Sequence, residues 1–188
     1  SVQLNLKTPK GVELFKGLLS DADVVIDNFS PNVMPSFGLN YEDMATEFPR
    51  LIIAALSATG RTGPWSHLLS YGPTLTSLYG IKSLNGYPDD GLVMEDSADL
   101  DPISGTYGML AIMAALHHRD LTGEGQIIEI AQGEAGFIAL TEAIIEYLWN
   151  DREIGPQGNL HRVLAPHGMY PCAGDDRWLS IACGSDEE

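Results

Sequence analysis

The spacing of apolar residues along the chain predicts helices and strands in alternation. Apolar residues recur at helical intervals after Thr8 and Pro9, a pair typical of a helix N-terminus. Continuous apolar runs at 22–27 and 50–57 are typical of buried strands. A short segment between them, 39–49, ends at a proline and predicts a helix. The first third of the chain therefore has the order helix, strand, helix, strand.

The same alternation continues through the rest of the chain. A short helix is predicted over 73–79. A long helix is predicted to begin within the stretch DLDPISGTYG, at Asp101 and Pro102, and to end at the glycine-rich segment 121–126. The apolar run 127–131 predicts a third strand, and the apolar residues of 137–148 have the spacing of another long helix. Two apolar segments on either side of 173–176 predict a hairpin.

This order of elements predicts an α/β fold. Strands that alternate with helices usually pair in parallel through right-handed crossovers. We therefore expect a Rossmann-like parallel sheet with flanking helices and an antiparallel hairpin late in the chain. We assign residues 1–150 to part of a large α/β domain, and 151–188 to a linker and the incomplete start of a second, smaller domain.

Composition and charge restrict the function. The 188 residues are 44% hydrophobic and 19% charged, which is typical of a globular protein with a core. The net charge of −16 makes nucleic acid an unfavourable partner. No apolar run approaches the roughly 20 residues of a membrane span. Two cysteines without a disulfide framework favour a cytoplasmic location, and His117 and His118 have no partner at metal-ligand spacing.

The two ends of the sequence suggest an interior piece of a longer protein. Residues 1–6 alternate in the manner of a strand that has nothing before it to pair with. Ser185 is a good helix N-cap, and the three acids at 186–188 suit the first turn of a helix. No helical sequence follows them.

Asp101 has the clearest candidate chemistry. It precedes Pro102 at the predicted start of the long helix, where an aspartate is most often the cap. The partial positive charge and free N–H groups of a helix N-terminus also favour an ionised carboxylate and can hold an oxyanion. The residues alone leave both roles open, whereas Asp96 and Asp99 have the pattern of solvated loop residues.

Three ordered blocks of the sequence resemble one enzyme family. They are ADVVIDNFSPNVMPSFGLNYEDM, PRLIIAALSATGRTGP and DPISGTYGMLAIMAALHHRDLTGEGQIIEIAQGEA. These blocks are similar to class III CoA-transferases, also called the CaiB/BaiF family, and the resemblance covers almost the whole chain. Its most specific positions are Asp101, Gly105, Ala114, Ala115, Leu116, Arg119, Thr122, Gly123, Gly125 and Gln126.

The resemblance implies a covalent reaction on an aspartate. In the family, an Asp carboxylate attacks the thioester of a donor acyl-CoA to give a mixed anhydride, and CoA thiolate converts this to an aspartyl-CoA thioester. A carboxylic acid acceptor takes over CoA through a second anhydride. Matched to the motif, the nucleophile is Asp101. CoA is then a co-substrate, no metal takes part, and the complete protein is an interlocked homodimer.

The resemblance also implies which residues contact CoA and substrate. The CoA-contacting positions are Asn28, Phe29, Ser30, Tyr71 and Gly72. Gly105, one turn beyond Asp101, leaves room for the thioester. His167 is a candidate substrate contact, although a hydrogen-bonded loop histidine is the more common role. Ser36 stands where the family can carry a CoA-binding arginine, so one phosphate contact is in doubt.

Two alternative functions stay open. The family includes acyl-CoA racemases, which use a histidine where this chain has Tyr71, and the tyrosine favours transfer over racemisation. The second alternative is a non-catalytic CoA-binding fragment. For the 188-residue chain alone we expect weak or no CoA binding and no activity.

Overall fold

The computed structural model describes residues 1–93 and 98–185. Its helices are α1 (Pro9–Leu19), α2 (Val33–Ser36), α3 (Tyr41–Glu47), α4 (Gly72–Leu78), α5 (Leu100–Thr122), α6 (Gln132–Ala135) and α7 (Thr141–Asn150), with short 3-10 helices at Ile81–Leu84 and Gly136–Leu140. Its strands are β1 (Val24–Asp27), β2 (Ile52–Ala55), β3 (Gly86–Tyr87), β4 (Gly91–Leu92), β5 (Ile127–Glu129), β6 (His167–Pro171) and β7 (Trp178–Ala182).

A three-stranded parallel sheet in the order β1-β2-β5 confirms the predicted α/β fold. β1 pairs with β2 in parallel, with Val24 opposite Ile52, and β2 pairs with β5 in parallel, with Ile53 opposite Ile127. All four residues of β2 are buried, because β2 is the middle strand and contacts both α3 and α5. This double burial explains why β2 is a continuous apolar run in the sequence.

The main hydrophobic core lies where the first helices pack against β2. Its buried members are Leu19, Met34, Leu39, Tyr41, Met44, Leu51, Ile53 and Ala55. Val12 and Phe15 of α1 pack against this cluster, as their helical spacing predicts. Apolar burial of this kind is the dominant stabilising contribution in a folded domain. It holds the ends of β1 and β2 in a fixed relation to each other.

The glycine-rich segment after α5 is explained by geometry. Gly123 ends the helix with a φ of 84°, a left-handed conformation that glycine adopts at low cost. A Cβ on Gly125 would lie 2.2 Å from the carbonyl oxygen of Leu51, so no side chain fits there. This close approach brings the chain alongside β2, where the carbonyl oxygen of Gln126 accepts a hydrogen bond from the N–H of Ile53.

The start of α5 differs from the expectation. The helix begins at Leu100 with Asp99 at the N-cap position, so Asp101 lies in the first turn and is not the cap. The backbone sets this boundary, because the N–H of Asp101 already donates to the carbonyl oxygen of Ala98 at 3.0 Å. Asp99 is therefore part of the helix start and not a loop residue. Asp96 lies outside the described residues.

Two other segments also differ from the expectation. The segment 137–148 is not one helix, because a 3-10 helix runs to Leu140 before α7 begins. Gly133 and Gly136 precede this break, and glycine is a poor helix former. Residues 1–5 form no strand. The helix start expected at 186–188 lies outside the described residues.

The described residues form two compact units. One consists of residues 1–79 and 98–139 and contains the parallel sheet. The other consists of 80–93 and 140–185 and contains two antiparallel hairpins, β3-β4 and β6-β7. The late hairpin is thus confirmed. Within the described ranges, no helix has the length and apolarity that crossing a bilayer requires. The domain assignment at residue 150 stays a prediction.

Candidate active site

A pocket of about 390 Å³ opens at the carboxyl end of the parallel sheet. Six of the residues singled out by the sequence line it, namely Asn28, Phe29, Ser30, Tyr71, Gly72 and Asp101. Further lining residues come from the segments that follow β2 and β5. The fold therefore brings the predicted nucleophile and all five predicted CoA contacts to one cavity.

Three strand ends position much of the pocket wall. Asn28 directly follows β1, Ser57 follows the end of β2, and Gln132 follows the end of β5. The carboxyl ends of parallel strands meet at one edge of the sheet, which is where α/β proteins bind ligands. The backbone N–H of Gln132 donates to the carbonyl oxygen of Ser57 at 2.9 Å and ties two of these segments together.

Asp101 reaches the pocket from the first turn of α5, beside the start of α4. A Cβ on Gly72 would lie 2.3 Å from the Cβ of Ala98 and 3.2 Å from Oδ2 of Asp101. Glycine at position 72 therefore allows the two helix starts to approach closely. The Asp101 side chain stays exposed. An exposed carboxylate in the first turn of a helix has accessible oxygens and a favourable helix dipole, as a nucleophile requires.

The pocket wall is almost uncharged. Among the lining residues within the described part of the chain, Asp101 is the single charged side chain. The wall otherwise consists of apolar side chains and neutral polar groups. Such a composition suits the amide and alkyl portions of a ligand, whereas phosphate groups are usually held by cations or by clusters of N–H donors.

Two predicted substrate contacts are not among the residues that line this pocket. Gly105 lies one turn further along α5, and a Cβ there would meet no atom within 4 Å. His167 begins β6 in the other unit, and its Nδ1 lies 2.7 Å from the carbonyl oxygen of Asn159, to which it donates. Both assignments stay predictions.

Sequence reasoning missed several polar residues of the pocket, among them Ser57 and Gln132. Ser57 is 2% exposed, and no described group forms a hydrogen bond with its Oγ. Gln132 lines the same cavity from the start of α6. A polar residue just beyond the carboxyl end of a strand is well placed for a ligand in an α/β sheet, and this rule, which Asn28 also satisfies, selects both of them. Within residues 1–93 and 98–185, no three His, Cys, Asp or Glu side chains are grouped to hold a metal ion.

Comparison with known proteins identifies the family. The model of CoA-transferase family III matches residues 1–188. The chain belongs to CoA-transferase family III. A succinate–glutarate CoA-transferase from Agrobacterium fabrum is 34% identical over 186 residues, which are 99% of this chain and 46% of that protein. A succinyl-CoA–D-citramalate CoA-transferase from Chloroflexus aurantiacus is 32% identical, again over 99% of this chain and 46% of that protein.

A solved structure agrees with this family III assignment. The crystal structure of a CaiB/BaiF family protein from Brucella suis has a TM-score of 0.90 and 32% sequence identity to the chain. The match covers 100% of this chain and 49% of that one. The family III chain thus spans about half the length of the relatives it matches. The resemblance derived from the Asp101 motif is confirmed.

Proposed function

We propose that the complete protein moves CoA from an acyl-CoA donor to a carboxylic acid acceptor, with Asp101 as the nucleophile. One observation carries the proposal: in a CoA-transferase family III chain, Asp101 shares a single pocket with Asn28, Phe29, Ser30, Tyr71 and Gly72. These are the positions that contact CoA by family resemblance. CoA is a co-substrate in this scheme.

The proposed transfer consists of four acyl exchanges. A carboxylate oxygen of Asp101 attacks the thioester carbonyl carbon, the carbon–sulfur bond breaks, and CoA leaves as thiolate from a mixed anhydride. The thiolate attacks the aspartyl carbonyl and releases the donor acid as carboxylate. The acceptor carboxylate displaces the thiolate from aspartyl-CoA to form a second anhydride. The thiolate then attacks the acceptor carbonyl and restores the Asp101 carboxylate.

The pocket supports this scheme through its shape and polarity. The thiolate leaves and returns twice, so CoA must stay bound between steps. Neutral polar side chains such as Asn28 and Ser30 can hydrogen-bond the uncharged arm of CoA, and Phe29 adds an apolar surface. Holding both reactants beside Asp101 makes each exchange effectively unimolecular.

Replacement of the nucleophile tests the proposal. In the complete protein, Asp101→Ala should lower the transfer rate by about 10³-fold or more, because the carboxylate that forms the anhydride is removed. Succinyl-CoA is the first donor to test, since it appears in the name of a relative. Hydroxylamine should trap the wild-type intermediate as a hydroxamate on Asp101, which mass spectrometry of the peptide can locate.

The neighbouring carboxylate provides the control for Asp101→Ala. Asp99→Asn removes one negative charge two residues away, and asparagine is as good at an N-cap position as aspartate. It should therefore fold and transfer CoA at nearly the wild-type rate. Full transfer activity in Asp101→Ala, or label on Asp99 instead, would refute the assignment.

Racemisation is the alternative within the family. It requires two acid/base groups on opposite sides of the α-carbon, and Tyr71 stands where racemases carry histidine. Incubation of acyl-CoA with the complete protein in deuterated water separates the two reactions. Transfer leaves the α-proton in place, whereas racemisation exchanges it for deuterium.

Assembly and location are further parts of the proposal. We propose that the complete protein is a homodimer located in the cytoplasm, with acyl-CoA and a carboxylic acid as its partners and neither nucleic acid nor membrane among them. The support is family membership together with the net charge of −16. Light scattering of the complete protein measures the oligomeric state directly.

A further inference from the structure

A network of polar side chains lies next to the pocket without lining it. Asp27 is the last residue of β1, and its Oδ1 accepts a hydrogen bond from the backbone N–H of Phe29 at 3.0 Å. The Tyr41 hydroxyl, which lies on α3, donates to the same carboxylate at 3.0 to 3.2 Å. Tyr41 itself is 1% exposed. The carboxylate therefore joins a buried tyrosine to the backbone of a pocket-lining segment.

Arg61 extends this network to a second pocket-lining segment. Its guanidinium lies 4.1 Å from the centroid of the Tyr41 ring and pairs with Glu42 at 2.9 Å. Its backbone N–H donates to Oε1 of Glu129 at 2.5 Å. Arg61 belongs to the glycine-rich loop that begins with the lining residues after β2. Side chain and backbone of one residue thus anchor that loop to α3 and to β5.

The network connects two of the segments that form the pocket's polar wall. Asn28–Ser30 follows Asp27 directly, and Ser57–Thr59 precedes Arg61 by two residues. Tyr41 contacts an anchor of each segment, because its hydroxyl donates to Asp27 and its ring face lies against the Arg61 guanidinium. A shift of this tyrosine would therefore disturb both anchors.

Burying the polar groups of this network costs free energy of folding, which a purely structural role would not require. Burial raises the pKa of the Asp27 carboxyl, against the lowering by the Phe29 N–H, the Tyr41 hydroxyl and the Arg61 charge. Burial and the adjacent Asp27 charge also raise the pKa of Tyr41, so its hydroxyl keeps the proton that it donates. Apolar side chains of similar volume would fill the space without this desolvation cost. A directional network gives something that they cannot, namely a fixed backbone position for Phe29.

We propose that Asp27, Tyr41 and Arg61 are positioning residues that hold the pocket-lining segments 28–30 and 57–59 in the geometry that binds acyl-CoA. None of the three touches the pocket, so they act through the residues they hold. This inference rests on the proposed CoA-transferase function, and it adds residues to which the family resemblance assigns no role.

The sharpest test removes a single oxygen atom in the complete protein. Tyr41→Phe deletes the hydroxyl that holds Asp27 and keeps the ring that supports Arg61. The Michaelis constant for acyl-CoA should rise about fivefold while kcat stays within about twofold of wild type, because binding geometry is lost and the nucleophile is not. The Kd for CoA, measured by calorimetry, should weaken by a similar factor. Tyr147→Phe, an exposed tyrosine on α7, should change neither constant.

A second variant and a double-mutant cycle make the test specific. Asp27→Ala should raise the Michaelis constant at least as much as Tyr41→Phe, and the two effects should not add in the double variant because they break one shared contact. Asp27→Asn keeps an acceptor for the Phe29 N–H and should recover most of the affinity.

Defined outcomes would overturn the inference. An unchanged Michaelis constant and an unchanged Kd for Tyr41→Phe would do so, as would a loss of thermal stability with the wild-type Kd, which indicates a structural role alone. Additive effects in the double variant would separate Asp27 from Tyr41 and equally contradict the network. If wild-type protein binds CoA but does not transfer it, the proposed function fails, and the Kd of each variant still decides the positioning role.

Discussion

Ser57 shows how a single buried hydroxyl can stay unpaired beside a pocket. Ser57 is 2% exposed and lies just beyond β2, yet its Oγ has no hydrogen-bond partner among the groups that the structure describes. A buried polar atom without a partner costs free energy of folding, whereas a paired one contributes a small net gain. The cost is tolerated where a ligand or another group can complete the bond.

Substitution of Ser57 should therefore be mild for the stability of the chain. We expect Ser57→Ala to leave the free energy of unfolding unchanged or to raise it by up to about 1 kcal/mol, because the unpaired hydroxyl is removed. Urea denaturation measures the difference.

A paired hydroxyl provides the control for Ser57→Ala. Thr59 lies in the same loop, and its Oγ1 donates to the carbonyl oxygen of Trp65 at 2.7 Å. Thr59→Val keeps the shape and deletes that bond, so it should lower the free energy of unfolding by about 1 kcal/mol. A loss of more than about 1 kcal/mol in Ser57→Ala would show that its hydroxyl has a partner in solution.

The residue scale also shows what the sequence can and cannot predict. Asp101 was selected by the family motif together with its place at a predicted helix start, Asn28 by the family resemblance, and both line the pocket. The Asp27–Tyr41 contact was not predicted, because its two residues are fourteen positions apart and no periodicity links them. Only the packing of α3 against the sheet brings the hydroxyl to the carboxylate.

At the scale of elements, the approach of α4 to α5 decides where Asp101 lies. Gly72 starts α4 and faces Ala98 and Asp101 at the start of α5, with no room for a side chain. The nucleophile is thus positioned by the contact between two helix starts as well as by its own helix. An aspartate in a first turn is common. What distinguishes Asp101 is the pocket wall beside it.

We expect Gly72→Ala to disturb both stability and activity. The new Cβ would meet the Cβ of Ala98 at 2.3 Å and its Cα at 2.9 Å, so the two helix starts must separate. The free energy of unfolding should fall by about 1–3 kcal/mol through overpacking. The transfer rate of the complete protein should fall by about tenfold or more, because a shift of about 1 Å moves the nucleophile.

Gly105→Ala is the matched comparison for Gly72→Ala. A Cβ at Gly105 meets no atom within 4 Å, and alanine is a better helix former than glycine by about 1 kcal/mol. This variant should therefore be more stable than wild type in the same urea titration. Equal stability of the two variants would contradict the steric account of Gly72. A lower transfer rate in a stabilised Gly105→Ala would support the predicted approach of the thioester over Gly105.

At the scale of the whole molecule, the charge balance dominates. The chain carries 26 acidic residues and 10 Lys and Arg, and its net charge is −16. Ion pairs among the described residues include Lys16 with Glu47 and Arg119 with Asp23. The acidic residues therefore outnumber Lys and Arg by sixteen. Repulsion among these carboxylates opposes the compact state.

Salt should therefore stabilise the chain at neutral pH. Raising NaCl from about 0.01 M to about 1 M shortens the Debye length from about 30 Å to about 3 Å and screens the repulsion. We expect the melting temperature at pH 7 to rise by about 4 °C or more, measured by circular dichroism. The same titration near pH 4.4, where the net charge approaches zero, should produce little change. An equal rise at both pH values would rule out charge screening as the cause.

The sequence by itself determined the fold class, the family and the candidate nucleophile. Apolar periodicity is set locally by which faces are buried, so it gave the parallel strands and most of the helices correctly. The ordered motif around Asp101 specified the family, and the family model covers residues 1–188. Local patterns were weaker at boundaries, where α5 begins two residues earlier than expected and the segment 137–148 is broken.

Only the tertiary structure decided which residues meet. The pocket collects side chains from three strand ends and two helix starts, and their distances depend on packing between elements far apart in the chain. This packing places Ser57 and Gln132 in the pocket wall and the Asp27–Tyr41–Arg61 network beside it. It also brings Gly72 against Asp101. Contacts of this kind follow from three-dimensional packing, and no periodicity along the sequence encodes them.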